Sequence, residues 1–130
     1  MQWLGDPDLP LTPTFIDDFA ATLAAVGTGD GPAAGVWHVP HPGVTTGRAL
    51  AAEACRQAGT RLRLVRHGSR RVRALGSVVP LAREGAEMVY QFEQPFVVDG
   101  SRAARAFGLP ATPYEEGVRR TLAASSGPGR

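Results

Sequence analysis

Two histidines, His38 and His41, stand three residues apart, a spacing at which two side chains could share a metal ion. Imidazole nitrogens are good zinc ligands, but a zinc site needs three or four protein donors. No cysteine or carboxylate is adjacent to the pair, and Pro40 and Pro42 break the backbone around it. We therefore predict no metal site here. The pattern favours strand packing for Trp37 and a satisfied histidine at His38.

A pair of carboxylates, Asp17 and Asp18, could suggest general acid–base chemistry. Because neighbouring residues point to different faces of a helix, a helix cap and a solvated charge explain the pair better. The single cysteine, Cys55, lies within a predicted helix and has no internal disulfide partner. We predict that Cys55 is buried and inert rather than a nucleophile.

A glycine cluster, GTGDGPAAG at residues 27–35, could suggest a loop that binds nucleotide phosphates. Such a loop follows a strand and opens a helix, because backbone N–H groups at the helix N-terminus must approach the phosphates closely. Here the cluster follows a predicted helix, and Pro32 takes the place of the third glycine. The sequence therefore predicts an ordinary surface loop.

Composition limits the chemistry further. The 130 residues fit one domain, with 43% hydrophobic and 20% charged residues. All 14 basic residues are arginines, so the chain cannot form a lysine Schiff base or supply the lysine of a phosphate-binding loop. No run of 18 apolar residues predicts a membrane span, and the N-terminus lacks the features of a signal peptide. With one cysteine, we expect a cytoplasmic location.

Hydrophobic spacing and breaker residues predict an α+β fold with mostly helices and a few short strands. We expect a single lobe over residues 1–125 and a disordered tail over 126–130. Strands are predicted near the N-terminus, at GVWHVP (35–40), at RLRLVRH (61–67) and at FVVD (96–99). Helices are predicted at about 17–26, 45–57, 69–75, 78–93 and 101–107 and from Pro113 onward, with Thr45 or Thr46 as a cap and Gly59 and Gly108 as stops.

Three segments resemble, in order, the C-terminal part of extended short-chain dehydrogenases/reductases, the NAD-dependent epimerase/dehydratase family. They are LGDPDLPLTPTFIDDFA, GVWHVPHPGVTTGRALAAEACRQAG and FVVDGSRAARAFGLPATPYEEGVRRTL, and together they cover roughly residues 3–123. The first ends in a pattern of an aromatic, an aliphatic, a variable residue, Asp, an apolar residue and Ala. The third contains a closing Asp-x-Ser-basic pattern. The resemblance implies the C-terminal lobe of an NAD(P)-binding Rossmann-type α/β family, with the cofactor-binding half absent.

The residues that the family uses for catalysis have no match in this chain. The family's catalytic pair is Tyr-x-x-x-Lys, but Gln94 follows Tyr90 at the fourth position and Val118 follows Tyr114. Neither replacement carries the positive charge that would lower the tyrosine pKa. We therefore predict no catalytic and no cofactor-binding residue, no cofactor bound by this chain alone, and NAD(P) in the full-length family.

The resemblance also implies a substrate cleft, which we expect to be lined by Trp37, His38, His41, Met88 and Phe92. Many family members bind nucleotide sugars through two arginines, whose positions fall near apolar residues 11 and 89 here. We therefore expect a small carbonyl or alcohol substrate. Activity would require a dinucleotide-binding half, from the same gene or from a partner; a homo-oligomer partner is a further possibility.

Two other functions stay open. A freestanding small binding module could reuse the lobe without catalysis. A nucleic-acid binder could use RLRLVRHGSRRVR (61–73), in which six of thirteen residues are arginine. No aromatic residues interleave these arginines, and the net charge is only +2, so we favour the reductase lobe and expect neither a nucleic-acid nor a membrane partner.

Overall fold

The computed structural model describes residues 1–28, 34–67 and 92–125. The chain groups into two compact units: unit 1 comprises Met1–Leu11 and Thr45–Phe96, and unit 2 comprises Thr12–Val44 and Val97–Arg130. The prediction of one lobe over 1–125 stays a prediction. The elements are β1 (Gln2–Leu4), β2 (Pro10–Leu11), α1 (Ile16–Gly27), β3 (Thr45–Thr46), α2 (Gly47–Gln57), β4 (Val65–His67), α3 (Ser101–Phe107) and α4 (Tyr114–Ser125).

Unit 1 contains two small sheets. β1 pairs with β4 in parallel, with Trp3 opposite Arg66, and β2 pairs with β3 in antiparallel orientation, with Leu11 opposite Thr45. The N-terminal ammonium group extends the first pairing by donating to the Arg63 carbonyl over 2.7 Å. Phe96 joins the second sheet by a single bridge to Leu11.

The predicted start and stop of α2 are confirmed. The Thr46 hydroxyl accepts a hydrogen bond from the Ala49 N–H at 3.1 Å, which satisfies one of the free donors of the first turn. The helix ends at Gln57, and Gly59 adopts a φ of +64°, the left-handed conformation that favours glycine after a helix.

The predicted cap of α1 is wrong. The N-cap is Phe15, which makes no side-chain cap hydrogen bond, and Asp17 and Asp18 lie inside the first turn. The helix begins at Ile16, and the Asp18 carboxylate accepts hydrogen bonds from a distant residue, Thr112, instead of capping the helix.

Two predicted strands do not form. GVWHVP has no ladder partner among the described residues, and the backbone of Val39 and Pro40 instead passes close to Gly100. Residues 97–99 likewise form no ladder, because side chains take the hydrogen bonds of Val98: its N–H donates to Thr12 Oγ1 and its carbonyl accepts from His41 Nε2. These two apolar segments therefore pack as extended chain and do not form β-strands.

The remaining elements agree with the sequence patterns where they can be compared. α3 ends at Gly108, whose φ is +63°, and α4 follows Pro113, whose carbonyl accepts from the Gly117 N–H at 2.9 Å. In the 61–67 segment only Val65–His67 form a strand. The helix predicted at 69–75, most of the one at 78–93 and the tail lie outside the described residues.

Within the described ranges, no helix is long and apolar enough to cross a membrane.

Candidate functional site

Trp37 in unit 2 lies between an aromatic ring and a cation. Its ring meets the Phe107 ring edge to face, with centroids 4.9 Å apart and an interplanar angle of 68°. The guanidinium carbon of Arg102 lies 4.1 Å from the Trp37 ring centroid. The indole Nε1 is buried and has no hydrogen-bond partner among the described residues. His38, the next residue, is exposed. Trp37 thus packs against side chains but not within the strand predicted for it.

His41 holds a turn in unit 2. Its Nε2 lies 2.8 Å from the Val98 carbonyl, and its Nδ1 lies 3.2 Å from the Gly43 N–H. Because a carbonyl can only accept, the Nε2 contact requires a proton on Nε2, while Nδ1 also lies 3.3 Å from the Gly43 carbonyl. His41 therefore ties the turn at His41–Gly43 to the chain at Val98, and its predicted contact with substrate stays a prediction.

Tyr114 binds the same turn. Its hydroxyl donates to the Gly43 carbonyl over 2.6 Å, and burial raises the pKa of Tyr114. A tyrosine that serves as an acid–base catalyst near neutral pH needs the opposite shift, because its phenolate must be accessible. Val118, four residues later, supplies no charge. We therefore interpret Tyr114 as a residue that fixes the turn.

Asp99 precedes α3 and organises its start. Its Oδ1 accepts a hydrogen bond from the Ser101 N–H at 2.9 Å. Hydrogen bonds from the backbone and side chain of Ser101 lower the pKa of Asp99, with smaller contributions from the charges of Arg105 and His41. This carboxylate belongs to the closing Asp-x-Ser-basic pattern, whose basic residue is Arg102. Sequence reasoning found the pattern but not the stacking of Arg102 on Trp37.

The two aspartates of α1 fasten this helix to the C-terminal part of unit 2. Asp18 accepts from both the N–H and the hydroxyl of Thr112, each at 2.7 Å, and Asp17 pairs with Arg120. These carboxylates point to separate partners, so they do not form a catalytic pair. Within the described ranges, no group of three metal-binding side chains is close enough to hold an ion.

The other predicted substrate contacts fall elsewhere in the chain. Phe92 belongs to unit 1, where it lines a cavity of about 40 Å³, and Met88 lies outside the described residues. The predicted substrate contact of Phe92 stays a prediction. The lining of this cavity also includes Trp3, Asp6, Leu9, Pro10, Leu11, Gln94 and Phe96.

Two glycines that could suggest a phosphate-binding turn face side chains of the chain itself. The junction from β3 to α2 is a strand-to-helix turn with Gly47 at the helix start, but the ring of Trp3 fills the space in front of it, where a Cβ on Gly47 would overlap the ring. Gly35, at the end of the glycine cluster, instead faces the Arg102 guanidinium. Gly47 therefore makes room for a side chain of the chain itself, and residues 29–33 of the glycine cluster, predicted as a surface loop, lie outside the described residues.

No protein-family model matches the sequence, and no curated protein matches it. Among solved structures, the chain is similar to the NADPH-dependent quinone oxidoreductase QOR2 of Escherichia coli, determined in complex with NADPH. The TM-score is 0.67 and the sequence identity is 23% over 93% of this chain and 45% of the oxidoreductase. The chain thus has the fold of part of an NADPH-dependent reductase and spans less than half of that protein's length.

Proposed function

We propose that this chain is the substrate-side part of an NAD(P)-dependent reductase of the extended short-chain dehydrogenase/reductase type. It would act on a small carbonyl or alcohol together with a dinucleotide-binding half that lies outside the chain. The observation that carries the proposal is the likeness of fold, which extends over 93% of this chain but only 45% of an NADPH-dependent oxidoreductase. The three family-like segments span the same part of the sequence.

The sheet formed by β1 and β4 supports a missing half. Parallel strands occur almost only in larger sheets that are covered on both faces, and a two-stranded sheet is marginal in water. In the described part of the chain, no third strand joins β1 and β4, and Val65 is 54% exposed. Strands from a dinucleotide-binding half would extend this sheet and cover Val65.

The outward face of α1 supports the same conclusion. Ile16, Phe19 and Leu23 recur at helical spacing, and Ile16 and Leu23 are 68% and 59% exposed, whereas the polar Thr22 is buried. No charged residue occurs from Phe19 to Thr28. A helix with large apolar side chains directed outward is ordinarily covered by another element. A second half is the simplest such cover.

The chemistry divides accordingly between the two halves. Tyr114 is the tyrosine that the structure describes; its hydroxyl donates to the Gly43 carbonyl, and its pKa is raised. The chain has no lysine. Proton transfer to or from the substrate oxygen would therefore be performed by groups of the other half. This chain would supply the walls of the substrate site, for which Trp37, His38, His41, Met88 and Phe92 remain the predicted contacts.

A chimera tests the proposal. The NADPH-binding part of the E. coli oxidoreductase, taken as the part that this chain does not cover, is joined to the N-terminus of this chain. We expect the chimera to bind NADPH and to oxidise it in the presence of small quinones or aldehydes, whereas neither part alone oxidises it. A chimera that binds NADPH, and is therefore folded, yet turns over no carbonyl compound would argue against the proposal.

A further inference from the structure

Arg102 differs from most arginines of the described part of the chain. Five others pair with carboxylates: Arg48, Arg56, Arg66, Arg119 and Arg120. Arg102 has no such partner among the described residues, and its guanidinium instead lies over the Trp37 ring at 4.1 Å. Its side chain is exposed. A cation is thus held in place without being neutralised.

The stacking leaves the hydrogen-bonding capacity of Arg102 unused. A guanidinium that stacks on an indole uses its face, while its N–H donors point outward in its own plane. Those donors match the planar oxygens of a carboxylate or the oxygens of a phosphate. Gly35 lies beside this side chain, since a Cβ at Gly35 would be in van der Waals contact with one guanidinium nitrogen at 3.4 Å. The edge of the Arg102 guanidinium therefore carries several N–H donors.

Trp37 contributes a second unsatisfied donor at the same stack. Its Nε1 is buried without a hydrogen-bond partner in the described part of the chain, and buried donors in native proteins are nearly always satisfied. Neither Phe107, which meets the indole edge to face, nor Arg102 offers an acceptor. Arg102 is therefore the residue whose donors a ligand can reach, because its side chain is exposed whereas Trp37 Nε1 is buried.

We propose that Arg102 and Trp37 form a binding site for an oxyanion, a carboxylate or phosphate group of a small ligand. Arg102 binds the oxygens, and Trp37 is a positioning residue that fixes the plane of the guanidinium. The identification of this ligand as a substrate rests on the proposed function. In that case the substrate is a carbonyl compound or alcohol that carries an anionic group, which narrows the expected substrate class.

The site is tested on the chain alone by nuclear magnetic resonance. Sodium acetate and, separately, sodium phosphate are titrated while the Arg102 Nε–H and Trp37 Nε1–H resonances are followed, with sodium chloride at matched ionic strength as the reference. We expect both resonances to shift saturably with at least one oxyanion and not with chloride. Tighter binding of acetate would identify a carboxylate site, and tighter binding of phosphate would identify a phosphate site.

Matched variants locate the site. Arg102→Gln should abolish the saturable shift of Trp37 Nε1–H, whereas Arg105→Gln, on the same helix and equally exposed, should retain it. Arg102→Lys keeps the charge but loses the planar fork, so it should bind several-fold more weakly. Equal shifts in chloride, or an unchanged response in Arg102→Gln, would overturn the inference. Such a failure leaves the reductase proposal intact, because that proposal is tested by turnover in the chimera.

Discussion

The carboxylate of Asp18 accepts two hydrogen bonds from Thr112, one from its N–H and one from its hydroxyl, each at 2.7 Å. The two residues are 94 positions apart in the sequence, and both belong to unit 2. The contact fastens the first turn of α1 to the chain that leads into α4. It is a charge-assisted pair in a half-buried position, which is where such bonds contribute most.

Removal of this contact should destabilise the protein. We expect Asp18→Ala to lower the free energy of unfolding by about 1–3 kcal/mol, because two donors of Thr112 lose their acceptor. Asp17→Ala is the matched control, since it removes a neighbouring carboxylate whose pair with Arg120 is exposed, and it should cost less than about 1 kcal/mol. Urea unfolding measures both. Equal effects of the two substitutions would show that Asp18 has no special role.

The space in front of Gly47 gives a second prediction. We expect Gly47→Ala to lower the free energy of unfolding by about 1–3 kcal/mol, because the added Cβ would overlap the Trp3 ring. Gly27→Ala is the control, since it lies in α1 with no atom within 4 Å of the added methyl group, and it should be neutral or stabilising. Thermal unfolding compares the variants. A neutral Gly47→Ala would mean that Trp3 packs elsewhere.

Tyr114 predicts a loss of stability at alkaline pH. Burial raises its pKa in the folded state above the unfolded value of about 10, so the unfolded state ionises first. The contribution is present in full below about pH 10 and is lost as the pH rises through the folded-state pKa. Tyr114→Phe should remove this part of the pH dependence and cost about 1 kcal/mol at neutral pH through the lost bond to Gly43.

Unfolding in urea over the range from about pH 8 to about pH 11 checks this prediction. Tyr90 is present in both proteins, so the difference between the two curves isolates Tyr114. Parallel curves for the two proteins would contradict a raised pKa at Tyr114.

Features with a local cause were predictable from the sequence. Thr46 caps the helix that begins at the next residue, Gly108 follows its helix directly, and Gly59 follows its helix after one intervening residue. The distant contacts were not predictable. A single sequence does not reveal that Asp18 binds Thr112, or that side chains of Thr12 and His41 take the hydrogen bonds of Val98 and prevent a strand.

The candidate site also combines residues that the sequence identified with contacts that the sequence did not reveal. The sequence singled out Trp37, His38 and His41 as residues of interest, and the closing pattern included Arg102. The stack of Arg102 on Trp37 and the bond from Tyr114 to Gly43 arise because separate segments of unit 2 meet in space. Met88 lies outside the described residues, and the substrate contact predicted for Phe92 in unit 1 stays a prediction.

The most direct test of the central claim is a titration of this chain alone with NADPH, followed by nicotinamide fluorescence. The account predicts no saturable binding, because the glycines at 35 and 47 face side chains of the chain itself and no lysine is present. Saturable binding by the unmodified chain would contradict the claim that the dinucleotide site belongs to another half.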